Sequence, residues 1–254
     1  MSKLPFSVFK QGTQEYEIVD RQARADIASL SGSRFVILQG DSYAISNSFG
    51  GNSWAQNVVQ YLGLTANEYL ILEDNSGGFV QSGVNGTFED QLESSVVSNK
   101  VTDIVVAAGA NDRDETYATL CTNIASYIAK AKQLYPSAKV YISCIAWSKT
   151  TSYAQEIFNQ SYKAFKETAI ENGAIWLESP TNCLVFDTDF NDYLHPSVDG
   201  AKVIGRAIAN EINGHADAIT REKKIAVTPA TGFTATTGTY SVIARQRGNM
   251  INGY

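Results

Sequence analysis

The chain has little of what metal and redox chemistry usually need. Of 254 residues, two are histidine and three are cysteine. Cys121, Cys144 and Cys183 are odd in number and widely spaced, so they cannot form a complete disulfide framework, and no CxxC metal pattern occurs. Cys144 lies inside an apolar run and reads as a small buried side chain. His195 and His215 are far apart, and no HExxH motif or Cys/His cluster accompanies them, so neither a metal nor any other cofactor is expected. Dinucleotide-type GxGxxG and Walker-type loops are also missing. Basic residues are the minority charge, 20 against 26 acidic, giving a net charge of −6. With no concentrated basic patch, this argues against a nucleic-acid partner. No apolar run reaches membrane-spanning length, so membrane insertion is not expected. The N-terminus lacks the apolar segment of a secretory signal peptide.

What is present is an ordinary globular composition, 44% hydrophobic. The length suits one α/β domain with small appendages. Short apolar strands are expected at 35–38, 68–72, 103–108, 139–146 and 174–177. Helices are expected at 52–61, 88–97, 119–134, 153–172 and 200–212, with Gly63, Gly173 and Gly214 as stops. This alternation implies βαβ units and a mainly parallel sheet, with the strands' C-terminal ends along one edge. Ligand sites of open α/β sheets gather at that edge. The segmentation expected is a polar lead-in over 1–33, the main domain over 34–213, and a Thr/Gly-rich β segment over 214–254. That last segment is either an appendage or the start of a further domain. Within the lead-in, Ile18, Ala25, Ile27 and Leu30 would line one face of a short helix over 16–30.

Three polar groups follow hydrophobic segments. Gln39-Gly40-Asp41-Ser42 follows the first strand, and Gly109-Ala110-Asn111-Asp112 follows the third. Asp192-Tyr193-Leu194-His195-Pro196 precedes the last helix. A possible nucleophile, oxyanion donor and near-neutral base are thus directed to one crevice. Each has a plainer reading. Ser42 suits a turn or helix cap, and His195 suits a satisfied loop histidine.

These blocks, with a glycine in Asn75-Ser76-Gly77-Gly78-Phe79, resemble in order and approximate spacing the four blocks of the SGNH (GDSL-type) hydrolase family, over residues 34 to 213. The resemblance implies a flavodoxin-like three-layer α/β/α sandwich and an ester hydrolase without cofactor. It implies that Ser42 is the nucleophile, His195 the base and Asp192 its orienting carboxylate. The oxyanion hole would comprise the Ser42 and Gly78 backbone N–H groups and the Asn111 side chain, with Gly77 the competing glycine. Asp41 is expected to bond local backbone. Asp112 and Asp114 are read either as braces for the Asn111 loop or as solvated side chains. Tyr43 and Phe79 are read either as shaping the pocket mouth or as ordinary packing. Trp147 and Trp176 read as core. Short-chain esters are the expected substrates, O-acetyl groups on a bacterial surface carbohydrate foremost. A lipase acting on longer acyl esters and a non-catalytic glycan-binding or structural module are the alternatives.

The segment Tyr16-Glu17-Ile18-Val19-Asp20-Arg21-Gln22-Ala23-Arg24 resembles a short motif of bacteriophage tail and baseplate-associated proteins, and the Thr/Gly-rich end has a similar character. This implies assembly into a viral particle, or a homo-oligomer, and a virion-associated location. A standalone enzyme, cytoplasmic or exported by an unrecognised route, is the other expectation.

Overall fold

The computed structural model describes residues 8–11, 14–17, 34–45, 52–98, 100–146, 155–184, 186–215, 219–226, 241–247 and 250–253. Two units are distinct in the chain, 1–34 and 35–254. In the first, β1 (Val8–Gln11) and β2 (Gln14–Glu17) form an antiparallel hairpin. Tyr16 and Glu17 are therefore strand residues, which corrects the expected helix start. The remainder of that helix, 18–30, lies outside the described residues.

The second unit contains a five-stranded sheet. Its strands are β3 (Val36–Gly40), β4 (Tyr69–Glu73), β5 (Asp103–Ala108), β6 (Lys139–Cys144) and β7 (Ile175–Trp176). Every pairing is parallel, in the order β4-β3-β5-β6-β7. Each residue of β3 and β5 is buried. Unbroken apolar runs such as Ile104-Val105-Val106-Ala107-Ala108 serve a strand covered on both faces.

The covering helices are α1 (Trp54–Leu62), α2 (Phe88–Ser94), α3 (Tyr117–Leu134), α4 (Gln155–Glu171), the short α5 (Phe186–Asp189) and α6 (Val198–Ile212). α1 packs on α6, and α3 packs on α2 and α4. The result is the expected three-layer α/β/α sandwich. Local chemistry starts these helices. Ser53 and Thr87 form capping boxes with Gln56 and Asp90, and the Thr116 and Ser197 hydroxyls cap α3 and α6.

The α1–α6 contact depends on Gly205. A Cβ there would lie 2.5 Å from Asn57 Cβ and 2.7 Å from the Trp54 carbonyl oxygen. Gly205→Ala is therefore expected to destabilise the fold by about 1–3 kcal/mol through overpacking. An unchanged denaturant midpoint would contradict this close approach.

A second, antiparallel sheet, β10-β9-β8, comprises β8 (Ile219–Ala226), β9 (Ser241–Arg247) and β10 (Met250–Gly253). Within the Thr/Gly-rich segment, 227–240 lies outside the described residues, as do Trp147 and the loop residues 46–51 and 147–154.

The strand order places β4 on one side of β3 and β5 on the other. Successive connections leaving in opposite directions open a crevice at the C-terminal ends of β3 and β5. Ser42 and Asn111 follow those two ends.

Candidate active site

Gly40, the last residue of β3, has no room for a side chain. A Cβ would lie 2.8 Å from Trp54 Cζ2, 2.9 Å from the Ala107 carbonyl oxygen and 2.9 Å from Ala44 Cβ. The chain then enters a single 3-10 turn, Ser42–Ala44, capped by Asp41, whose carboxylate accepts the Tyr43 N–H at 3.0 Å. Asp41 thus bonds local backbone, as expected. Burial pushes its carboxyl up to about 6, against nearby backbone N–H groups of Tyr43, Gly109 and Ala110, with neighbouring Asp112 adding to the rise. A carboxyl raised this way makes the fold less stable as pH climbs from about 4 to 6, because the unfolded chain loses its proton first.

Ser42 is 8% exposed, and its Oγ lies 3.1 Å from His195 Nε2. His195 Nδ1 lies 2.9 Å from Asp192 Oδ2. The other oxygen of Asp192 accepts the N–H groups of Leu194 at 2.7 Å and His195 at 2.6 Å. The three-residue spacing therefore lets one carboxylate fix both the imidazole and the turn that carries it. Partial burial works to raise the Asp192 carboxyl, but the His195 and Leu194 N–H groups and the imidazole outweigh it, and the net direction is downward.

The turn is closed from both ends. Phe190 and Pro196 form an antiparallel bridge, Asn191 N–H donates to the His195 carbonyl, and Ser197 N–H donates to the Asp189 carbonyl. Tyr43, fully buried, donates its hydroxyl to the Leu194 carbonyl at 2.6 Å and meets the His195 ring edge-on at 5.6 Å. Of its two readings, pocket mouth or packing, Tyr43 follows packing: it ties the serine turn to the histidine turn from inside. Of its own two readings, Phe79 likewise follows ordinary packing. It is 3% exposed and packs edge-on against Phe88, Tyr127 and Phe165.

Asn111 opens a 3-10 turn after β5, where Gly109 has φ +129°. Its Nδ2 donates to the Gly77 carbonyl at 2.9 Å. An amide nitrogen carries two hydrogens, so this bond orients the group and leaves the second N–H for another acceptor. Gly78 does not fit its expected part. Its N–H donates to the Gln81 carbonyl at 2.9 Å within its own loop. The glycine whose backbone meets Asn111 is Gly77. Gly78 is required for a different reason, since a Cβ there would lie 2.3 Å from Asp112 Oδ1.

Asp112 is fully buried and accepts N–H groups from Phe79, Val80 and Gln81. It grips the glycine loop, a role its position beside Asn111 did not indicate. Asp114 is exposed and pairs with Arg113 at 3.6 Å. Sequence reasoning missed Asp74. Buried at the end of β4, it accepts the Val84 and Asn85 N–H groups and the Gln91 side-chain amide. The positive φ of Ser76, +65°, is the one such non-glycine conformation among the described residues, and it lies in this loop. Cys144 is buried, and burial pushes its thiol up to about 12, consistent with a packing role. Trp176 is half-buried against the core and donates to Glu178.

A hydroxyl, an imidazole and a carboxylate in line, beside an oriented amide, can deprotonate an oxygen nucleophile and receive negative charge on a carbonyl oxygen. No family model matches the chain, and no curated protein matches it. Solved structures share its fold. A carbohydrate acetylesterase from Sinorhizobium meliloti is 16% identical, with 71% of this chain and 99% of that one covered at a TM-score of 0.55. A lipase/acylhydrolase from Enterococcus faecalis is 20% identical, covering 71% and 96% at 0.53. The M. smegmatis aryl esterase is 13% identical, covering 72% and 99% at 0.54. At these identities the likeness is one of fold alone, shared with structures described as esterases and lipases, among them a GDSL-like lipase from Parabacteroides merdae.

Proposed function

We propose that this chain is a serine ester hydrolase of the SGNH type that removes short acyl groups, acetyl foremost, from a bacterial surface carbohydrate. The observation that carries the proposal is the unbroken relay from Ser42 Oγ through His195 to Asp192, beside the Asn111 amide. A binding module of the same fold has no need for a serine within hydrogen-bond reach of an oriented imidazole.

In the first half-reaction Ser42 Oγ attacks the ester carbonyl carbon while His195 Nε2 takes its proton. Negative charge gathers on the carbonyl oxygen and accepts the free Asn111 N–H, with backbone N–H groups of Ser42 and of the glycine loop completing the hole. Gly77 replaces Gly78 in that last role, because the Gly78 N–H is already committed. The tetrahedral intermediate collapses as the alcohol oxygen leaves with the proton held by His195. Water then repeats the cycle on the acyl-serine, giving the acid and restoring Ser42. Asp192 holds the imidazole in the tautomer that accepts from Ser42 and stabilises the imidazolium formed in each half.

The carbohydrate and acetyl preferences gain support from the acetylesterase among the structural neighbours. The neighbouring lipase keeps a longer acyl group as the second reading. Delivery by a viral particle rests on Tyr16 to Arg24 and on the Thr/Gly-rich segment alone. The test is hydrolysis of p-nitrophenyl esters from acetate to palmitate, alongside O-acetylated and chemically deacetylated bacterial polysaccharide. We expect kcat/KM to fall with acyl length and acetate to be released from the polysaccharide. A maximum at long chains would move the substrate to lipids, and no turnover on any ester would defeat the enzyme reading.

A further inference from the structure

Asp112 is a charge buried where charge is costly, and the relay does not use it. Its side chain is sealed from solvent. Burial pushes its carboxyl up, against the N–H groups of Gln81, Phe79 and Val80. What compensates the burial is a set of three consecutive backbone donors. Oδ2 accepts Phe79 N–H at 2.8 Å, and Oδ1 accepts Gln81 N–H at 3.0 Å and Val80 N–H at 3.2 Å. The preceding residue, Gly78, lies so close that a methyl group would displace the carboxylate. One residue earlier again, the Gly77 carbonyl receives the Asn111 amide. Two consecutive side chains after β5 therefore bond four residues of the five-residue loop 77–81 after β4, with Gly78 packed against the carboxylate. Asn111 points one donor at that loop and has one left for chemistry. The direction of the remaining N–H depends on where the Gly77 carbonyl sits, and Asp112 fixes the residues that follow it.

We infer that Asp112 is a positioning residue for ester hydrolysis: its carboxylate anchors loop 77–81, so that the Gly77 carbonyl aims the Asn111 amide at the oxyanion. This rests on the esterase reading. Transition-state stabilisation by fixed donors is lost steeply when they shift by fractions of an ångström, whereas ground-state binding of a small ester is not. The loss should therefore appear in kcat.

Asp112→Asn tests it most sharply. An amide has one acceptor oxygen where the site offers donors to two, so its NH2 must face at least one backbone N–H. Gly78→Ala reaches the same anchor from the other side. With p-nitrophenyl acetate, each variant is expected to lose about 30- to 100-fold in kcat with KM within about threefold of the wild type. The double variant should be little worse than either single one, because both break the same contact. Asp114→Asn, exposed and outside the grip, should behave as wild type. Effects that multiply in the double variant, or an unaltered kcat in Asp112→Asn, would overturn the inference.

Amide hydrogen exchange of the wild type guards against variants that fail to fold. The Phe79, Val80 and Gln81 amides must be strongly protected, and free exchange there would overturn the grip directly. A wild type inert towards every ester would instead sink the esterase reading, while the exchange result would still report on the anchor.

Discussion

Ser42→Ala is expected to lower kcat/KM for p-nitrophenyl acetate by at least about 10⁴-fold, with the protein folded and its melting temperature little changed. The change removes one oxygen from a turn whose geometry is set by others. Asp41 holds the Tyr43 N–H, Ala44 N–H donates to the Asp41 carbonyl, and Gly40 permits the approach to β5. The oxyanion donors survive, so a small residual rate is expected from water attacking in place of the serine. Retention of more than about a tenth of wild-type activity would remove Ser42 from the mechanism and leave the site a binding cleft. Steady-state kinetics beside a thermal melt decide between these outcomes.

Asp192→Asn is expected to cost about 10³-fold in kcat, although the side chain is nearly half exposed. The carboxylate performs two tasks, and the amide can perform only one. With its oxygen turned to the Leu194 and His195 N–H groups, its NH2 faces His195 Nδ1 and favours the tautomer with the proton on Nε2. That tautomer donates towards Ser42 instead of accepting from it. The pH dependence follows from the downward shift at Asp192. A carboxyl held below its unfolded value contributes stability above that value, near 4, and loses the contribution as pH falls through the folded one. The difference in melting temperature between wild type and Asp192→Asn should therefore persist from pH 7 to 5 and close below about pH 4. A gap that closes between pH 7 and 5 would contradict the clasp.

Legibility in the sequence tracked the range of the interactions. The fold was readable because its signals are local. β5 has the limits 103–108 that its apolar run suggests, and Gly63 and Gly173 stop their helices in left-handed conformation. α3 and α6 start at Tyr117 and Val198, two residues before the apolar pattern indicates. There the capping hydroxyls of Thr116 and Ser197, rather than the first apolar residue, set the first turn. α2 ends at Ser94, before the expected 97, since Val96 and Val97 extend the apolar pattern past the helix. The alternation of elements brings Ser42, Asn111 and His195 towards one sheet edge, but the roles of hydroxyl, imidazole and carboxylate rest on the resemblance to the SGNH blocks.

The supports could not be read in this way. Tyr43 reaches across 151 residues to Leu194, and Asp112 across 31 to 33 residues to the glycine loop. Nothing within a few residues of either announces its partner. Gly77 and Gly78 are alike in sequence and differ only in which side chain lies against them. Phe79, next to a catalytic-looking glycine pair, turns into the core because Phe88, Tyr127 and Phe165 leave a ring-sized space there.

Ser42 Oγ is the atom expected to bond to substrate. Intact-mass and peptide-mapping analysis after treatment with a p-nitrophenyl alkylphosphonate tests it most directly, because such a reagent arrests a serine hydrolase as a covalent analogue of the tetrahedral intermediate. The account predicts one adduct per chain, on Ser42, formed in step with loss of esterase activity and far more slowly in Asp192→Asn. No adduct, or one on another residue, would contradict it.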